Sequence, residues 1–357
     1  MMKRVCNFYS GPATLPSEVL QEVQSTIYNY RNLGLSLIET SHRSDEYQNV
    51  HQKAISRIRN LLKITESYEV LFVGGGATLQ FSMLPMNLMT VSGIADFVDS
   101  GAWAQKAIAD AQQYGTARVI WKDPEQRSLP ASESIESESD YLHITSNETI
   151  NGVQWKTFPR CSAPLAADMS SDILSRPMDV EQFGIIYAGA QKNLGPAGVT
   201  IIIIRKDLLE RCPSSLGAYL NYRTHAKAKS LYNTPPVFSI WVMSLVLAWI
   251  ERSGGLAAME EMNNEKADMI YSVINTSDGF YRCPVDPLFR STMNVVFTLR
   301  NTAHEPEFFS GAAERNLIGL KGHRSVGGMR ASMYNAMPVE GAQALAEYMR
   351  EFAKKRA

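Results

Sequence analysis

The chain has 357 residues, 45% of them hydrophobic, enough to bury a large core and to divide into two domains. Its 35 Lys and Arg nearly cancel 36 Asp and Glu, with no basic tail or run, which argues against a polyanion-binding surface and against nucleic acid as a partner. Cys6, Cys161, Cys212 and Cys283 are far apart and form no Cys-x-x-Cys pair, so neither a zinc site nor a disulfide framework is expected; this cysteine usage fits a reducing cytosol, and no metal is expected.

The first dozen residues carry positive charge but no apolar stretch behind it, so a signal peptide is not expected. Two amphipathic helices open the chain. In the second, Tyr47, Val50, Ala54, Ile58 and Leu61 recur at helical spacing, with Ser44 or Asp45 as its N-cap. Beyond Tyr68, short apolar runs at 70–73, 95–98, 118–121, 141–144, 165–168, 185–187 and 199–204 read as strands, with helices over 78–89 and 102–114. Such alternation predicts an α/β domain around a mostly parallel sheet. The last two runs, joined by a short turn, read as an antiparallel edge or hairpin. The Ser/Glu-rich stretch 128–140 reads as a solvated loop.

The longest apolar segment, 237–250, is too short for the roughly 20 residues a bilayer requires, and Pro235-Pro236 before it and Glu251-Arg252 after it mark a helix buried on nearly all sides. A membrane is therefore not an expected partner. A helix over 259–274 leads into a second unit, with strands at 292–299 and 331–334 and a terminal helix over 339–353. The expected division is a large domain over 15–252 and a smaller α+β domain over 253–357. Residues 1–14 would pack near the site or the small domain.

The residue with the most chemistry is Lys192, in Ala188-Gly189-Ala190-Gln191-Lys192-Asn193-Leu194-Gly195-Pro196-Ala197-Gly198 between two buried strands. A low-dielectric setting disfavours the ammonium form and leaves a nucleophilic amine, as Schiff-base chemistry requires. Gly74-Gly75-Gly76-Ala77-Thr78 leaves a strand and opens a helix, so its amides could face a phosphate, although a tight structural turn explains it almost as well. Asp168 ends a buried strand, where a carboxylate is costly unless something cationic meets it; it reads either as a cap or as the partner of a protonated ring nitrogen. Trp103 reads as core or as an aromatic plate beneath a ring. Two His-Arg pairs, His42-Arg43 and His323-Arg324, together with Arg330, offer charged and bidentate donors to an anionic substrate.

Taken in register, these segments resemble the class V aminotransferases of pyridoxal-phosphate fold type I, and within them the phosphoserine aminotransferase family. The likeness runs from Asn7-Phe8-Tyr9-Ser10-Gly11-Pro12-Ala13 through Ser41-His42-Arg43, the glycine turn and Gly101-Ala102-Trp103. It continues in Asn147-Glu148-Thr149-Ile150-Asn151-Gly152-Val153, Ala167-Asp168-Met169-Ser170-Ser171 and the Lys192 segment, and ends in Tyr232-Asn233-Thr234-Pro235-Pro236 and Lys321-Gly322-His323-Arg324. The resemblance implies a large domain with a mostly parallel mixed sheet flanked by helices, pyridoxal 5′-phosphate as cofactor, and a homodimer with shared active sites. Lys192 would carry the covalent link to the cofactor and move the proton. Asp168 would pair with the ring nitrogen, Trp103 would stack on the ring, and Thr149 would sit near its phenolic oxygen. Gly76, Ala77 and Gln191 would bind the phosphate, with Asn233 and Thr234 reaching it from the partner subunit. Arg330 would clamp the α-carboxylate; His42, Arg43, His323 and Arg324 would meet the distal anion, the first pair donated across the dimer.

The implied reaction converts O-phosphoserine and 2-oxoglutarate to 3-phosphooxypyruvate and glutamate in serine synthesis, in the cytoplasm. 4-Phosphohydroxythreonine, of vitamin B6 synthesis, is a second substrate of the same chemistry. Some members carry an arginine directly after the glycine turn; Ala77-Thr78 stand there here, which puts the weight of anion binding on the two His-Arg pairs. A cysteine desulfurase would need a mobile catalytic cysteine, and Cys161, Cys212 and Cys283 lie in no recognisable mobile loop. A non-enzymatic pyridoxal-phosphate-binding regulator would bring an added DNA-binding module, for which the chain has no spare length.

Overall fold

The computed structural model describes residues 4–356. A short strand, β1 (Cys6–Asn7), precedes α1 (Ser17–Thr26) and α2 (Asp45–Leu62). Ser44 caps α2, its Oγ accepting the Tyr47 N–H at 3.4 Å, and Tyr47, Val50, Ala54, Ile58 and Leu62 form the buried stripe. Strands and helices then alternate: β2 (Tyr68–Val73), α3 (Gly76–Leu88), β3 (Ile94–Asp99), α4 (Ala102–Ala111), β4 (Thr116–Lys122) and β5 (Leu142–Thr145). A two-strand hairpin, β6 (Asn147–Glu148) with β7 (Val153–Gln154), leads to β8 (Leu165–Asp168), β9 (Ile185–Gly189) and β10 (Thr200–Arg205). The short helices α5 (Lys206–Leu209) and α6 (Tyr222–Lys227) precede α7 (Val237–Arg252) and α8 (Gly255–Asn275). The C-terminal unit holds β11 (Tyr281–Arg282), β12 (Asn294–Leu299), α9 (Glu305–Glu314), β13 (Leu317–Ile318), β14 (Met329–Ser332) and α10 (Val339–Arg356).

The seven-stranded sheet has the order β2-β10-β9-β8-β5-β3-β4, and only β10 runs against its neighbours. The turn bearing Lys192 thus closes an antiparallel hairpin, as expected. β10 is not an edge, however, because β2 covers its outer side. The unbroken run Ile201 to Ile204 is buried on both faces, which is what an interior strand between two layers of helices requires.

Helix α7 presses on that hairpin. Ser239 Oγ donates to the Ala197 carbonyl at 2.8 Å, and a Cβ on Gly198, whose φ is +122°, would stand 2.7 Å from the same hydroxyl. Only glycine fits there, in conformation and in space. Ten of the sixteen residues of α7 are buried. No single helix among the described residues is long and apolar enough to cross a membrane.

In the C-terminal unit β11, β12 and β14 form an antiparallel sheet over a core that includes Phe8, Tyr281, Phe297, Phe308 and Phe352. β1 joins this unit by pairing in parallel with β13. Two expectations shift. The strand expected at 331–334 lies at Met329–Ser332, because Phe297 and Val296 pair with Met329 and Arg330. That places Arg330 inside a strand, while the Tyr334 hydroxyl turns away to donate to the Ser10 carbonyl at 2.7 Å. The stretch 128–140 is also not simply a solvated loop. Leu129 and Ile135 are buried, and Ser137 Oγ donates to Asp96 Oδ2 at 2.7 Å. Asp140 accepts the amides of Ser92 and Gly93 at 2.9 and 3.0 Å, so its serines and acids serve buried backbone and side-chain groups.

Candidate active site

The carboxyl ends of β2, β3, β5, β8 and β9 point to one side of the sheet, where ligands of open α/β sheets are held. A cavity of about 230 Å³ opens there, lined by Ser10, Gly11, Gly76, Ala77, Thr78, Trp103, Thr145, Asn147, Thr149, Ile150, Asp168, Ser170, Ser171, Gln191, Lys192, His323 and Arg330. Nine of the expected site residues therefore meet in one place. His323 and Arg330 come from the C-terminal unit, so both units wall the cavity.

Lys192 is 9% exposed, and its Nζ donates to Thr149 Oγ1 at 2.6 Å while lying 5.8 Å from the centre of the Trp103 ring. Burial pulls its pKa down to about 8 from an ordinary 10.5; Asp168 works against that and Arg330 with it. Asp168, 5% exposed, caps its own turn, Oδ1 accepting the Ser170 N–H at 2.9 Å. Burial raises its carboxyl above the usual range, while Ser170 and the Lys192 charge hold it back. Asp168 is thus a cap, as the first reading has it, and its burial in the cavity wall is the placement that the second would need.

The glycine turn is shaped by the same demand. Gly75 has φ +86°, and a Cβ on it would stand 2.5 Å from Leu79 Cδ2. The turn delivers Gly76, Ala77 and Thr78 to the first turn of α3, where backbone amides lack intrahelical partners and face the cavity. Arg330 is 7% exposed; its Nη1 donates to the Thr149 carbonyl at 3.3 Å and its Nε has no partner. Thr145 Oγ1 and Trp103 Nε1 are likewise buried without a partner. Three residues of one cavity wall thus keep hydrogen-bonding capacity that a ligand could use.

The arrangement suits a flat ring with a basic nitrogen, a carbonyl and an anionic arm. Trp103 offers a face, Asp168 an acceptor, Lys192 a nucleophile, and the start of α3 a set of amides. Pyridoxal phosphate fits this set.

Four expected residues stand elsewhere. His42, Arg43, Asn233 and Thr234 do not line the cavity, but they stand together, with Thr234 Oγ1 3.4 Å from His42 Nδ1. Arg324 also lies outside the lining, exposed in the loop that carries His323. Sequence reasoning had placed Thr78 in the glycine turn but had not singled out Ser10, Gly11, Thr145, Asn147, Ile150, Ser170 and Ser171. All but Thr145 sit in segments already marked by their neighbours; Thr145, at the end of β5, gives no local signal.

The class-V aminotransferase family model matches residues 5–345. Among curated proteins, a phosphoserine aminotransferase of Geobacillus kaustophilus is 51% identical over 99% of both chains. Among solved structures, the phosphoserine aminotransferase of Bacillus circulans subsp. alkalophilus superposes with a TM-score of 0.97 at 46% identity over 100% of both chains. A pyridoxal-phosphate-bound phosphoserine aminotransferase from Trichomonas vaginalis superposes with a TM-score of 0.89 at 37% identity, covering 97% of this chain and 100% of that one.

Proposed function

The chain belongs to the class-V aminotransferase family, and from that membership we propose how its own residues divide the work of the reaction. It is a pyridoxal-phosphate-dependent aminotransferase. It exchanges an amino group between O-phosphoserine and 2-oxoglutarate, giving 3-phosphooxypyruvate and glutamate, a step of serine synthesis. When bound, the cofactor supplies an electron sink and a temporary seat for the amino group.

The observation that carries the division of work is a lysine amine, held 2.6 Å from Thr149, that shares a buried cavity with Asp168. Lys192 Nζ would hold the cofactor, and the same amine would take the proton from the substrate α-carbon. Asp168 keeps a proton at the ring nitrogen, its carboxylate balanced by that charge. Trp103 covers one face of the ring and excludes water. Thr149 holds the Lys192 amine and stands by the ring's phenolic oxygen. The amides of Gly76 and Ala77, with Gln191, take the phosphate. Arg330 has an unpartnered Nε to offer the α-carboxylate common to all four amino and oxo acids.

The distal anion needs more cations than this cavity holds. His323 lines it and Arg324 stands beside it; the remaining pair, His42 and Arg43, would come from the partner subunit, as would Asn233 and Thr234 for the cofactor phosphate. Two features support a homodimer with shared sites. The four residues form one group away from the cavity of their own chain. Tyr28, Leu33, Leu35, Ile38, Tyr232 and Phe238, all exposed apolar side chains, lie in the segments around them. The reading also places the enzyme in the cytoplasm with no nucleic-acid or membrane partner, and divides it into a large domain over 15–252 and a small one over 253–357.

The test is an absorbance spectrum of the purified protein with pyridoxal phosphate. The visible band of the Lys192-linked cofactor is expected to bleach on adding O-phosphoserine and to return with 2-oxoglutarate; Lys192→Ala removes the band. A band that bleaches with glutamate but not with phosphoserine would refute the substrate, and no band at all would refute the role of Lys192. 4-Phosphohydroxythreonine, added the same way, shows whether a second phosphorylated amino acid is accepted.

A further inference from the structure

Glu148 has no part in the division of work above, yet its side chain is fully buried one residue before Thr149. It crosses from the β6–β7 hairpin to the start of α4. Its Oε2 accepts the Trp103 N–H at 3.2 Å, and its Oε1 accepts the Ala104 N–H at 3.0 Å and the Ser100 hydroxyl at 3.4 Å. No salt bridge to it is formed among the described residues. A carboxylate removed from water without a cation is expensive. The amides and the positive end of α4 offset part of that cost, but burial, reinforced by the Asp168 charge, still raises its pKa to about 7.

Capping alone does not call for such an arrangement. A serine, threonine, asparagine or aspartate at the N-cap would satisfy the same amides locally. The N-cap here is Gly101, and a Cβ on it would stand 2.8 Å from Glu148 Cδ. The chain is therefore bare where the carboxylate passes, and the cap arrives from a residue 45 positions after Trp103. What the long-range cap adds is a tie. At one end it grips the backbone amide of Trp103 itself; at the other it is bonded to Thr149, which holds the Lys192 amine.

We propose that Glu148 is a positioning residue that fixes the Trp103 ring relative to Thr149 and Lys192, and so sets the width and tilt of the slot that receives the cofactor ring. The inference rests on the reading of Trp103 as the plate beneath that ring. Asp168 fixes the ring by its nitrogen and the start of α3 by its phosphate; Glu148 fixes the face on which it rests.

The test uses the holoenzyme and its Glu148→Gln and Gly101→Ala variants, read by visible circular dichroism per bound cofactor, by cofactor dissociation constant, and by amide hydrogen exchange at Trp103 and Ala104. Glutamine has the shape of glutamate but only one acceptor oxygen, so one amide loses its partner. The expected result in Glu148→Gln is exchange at least about tenfold faster at those amides, an altered visible dichroism, and affinity for the cofactor about tenfold weaker. Gly101→Ala, whose Cβ would crowd the carboxylate but whose backbone at φ +157° is also strained, should speed exchange at the same amides for two reasons, so Glu148→Gln alone decides the proposal. KM for glutamate should stay within about twofold, since Arg330 lies on β14 and not on the tied elements.

Faster exchange with unchanged dichroism and affinity would make Glu148 a structural cap only and overturn the proposal. Unchanged exchange would overturn it as well, since the carboxylate would then not hold α4. Trp103→Ala separates the two readings. If that variant leaves the dichroism intact, the plate assignment has failed, while the exchange data still report on the tie itself.

Discussion

The amine of Lys192 allows a quantitative test that needs no cofactor. An amine of ordinary pKa 10.5 is free base at pH 7 in only about 3 parts in 10,000, whereas one of pKa about 8 is free in about 1 part in 10, a gain of roughly 300-fold in nucleophile. The same environment names the variants that should move it. Asp168 raises the Lys192 pKa and Arg330 lowers it, so Asp168→Asn should drop the midpoint and Arg330→Gln should lift it. A fall of about 1 in the midpoint would take the free amine at pH 7 from about a tenth to about a half, roughly a fivefold faster reaction. The assay is pulse labelling of the cofactor-free protein with a small acylating reagent across pH 6 to 11, with the Lys192 peptide quantified by mass. Lys156 is an internal control. Its pKa is also lowered to about 8, but by burial and Arg176, so neither substitution should move it. A Lys192 midpoint near 10.5, or one that rises in Asp168→Asn, would refute the reasoning.

Sharing of sites across a dimer predicts complementation. Arg43→Ala and Lys192→Ala proteins, each inactive alone, should regain about a quarter of the wild-type activity when mixed and allowed to exchange subunits, because half of the dimers then carry one intact site. Mixtures no more active than the separate variants would place Arg43 in its own chain's site or in none. Stability should depend on pH through Lys266, which is fully buried, donates to the Tyr334 and Met337 carbonyls at 2.8 and 3.1 Å, and has its pKa lowered to about 7. Between about pH 7 and 10.5 the unfolded chain holds a proton that the folded one lacks, so stability rises with pH by up to about 1.4 kcal/mol per pH unit from this group; as pH falls from 10.5 that contribution is progressively lost, and below about 7 it no longer changes. Urea unfolding at pH 7 to 8 should show that slope, and Lys266→Met should flatten it; an unchanged slope would mean the amine is not titrating there.

Much of this was legible because the signals are local. The alternation of apolar runs and helical stripes needs only neighbours in sequence, and so does the turn around Lys192, whose small residues and flanking strands lie within a dozen positions. The capping serine before α2 and the proline pair before α7 are of the same kind. The errors arose where a residue's partner is remote. The stretch 128–140 looks solvated by composition, yet its Asp140 and Ser137 are spent on the turn before β3 and on Asp96. Thr145 is an ordinary strand residue until its pairing with Asp168 on β8 sets it in the cavity wall. Trp103 could be core or plate by sequence; in the fold it both packs against the core and stands 5.8 Å from Lys192 Nζ at the cavity wall, a placement the plate reading requires.

Glu148 shows the same limit in its sharpest form. A glutamate in a short hairpin carries no local sign that its charge will be buried, and Lys156, the cation eight residues on, forms no salt bridge with it. Its acceptors are matched by amides at the start of α4 only because the parallel pairing of β3 with β5 brings the ends of those two strands side by side. Apolar burial is additive and leaves a period in the sequence. Polar burial must be satisfied group by group, and the sheet topology determines which groups meet. The group of His42, Arg43, Asn233 and Thr234 carries this one step further. The folded chain leaves these four outside the cavity that Lys192 lines, which is what the proposed sharing of sites across a dimer requires.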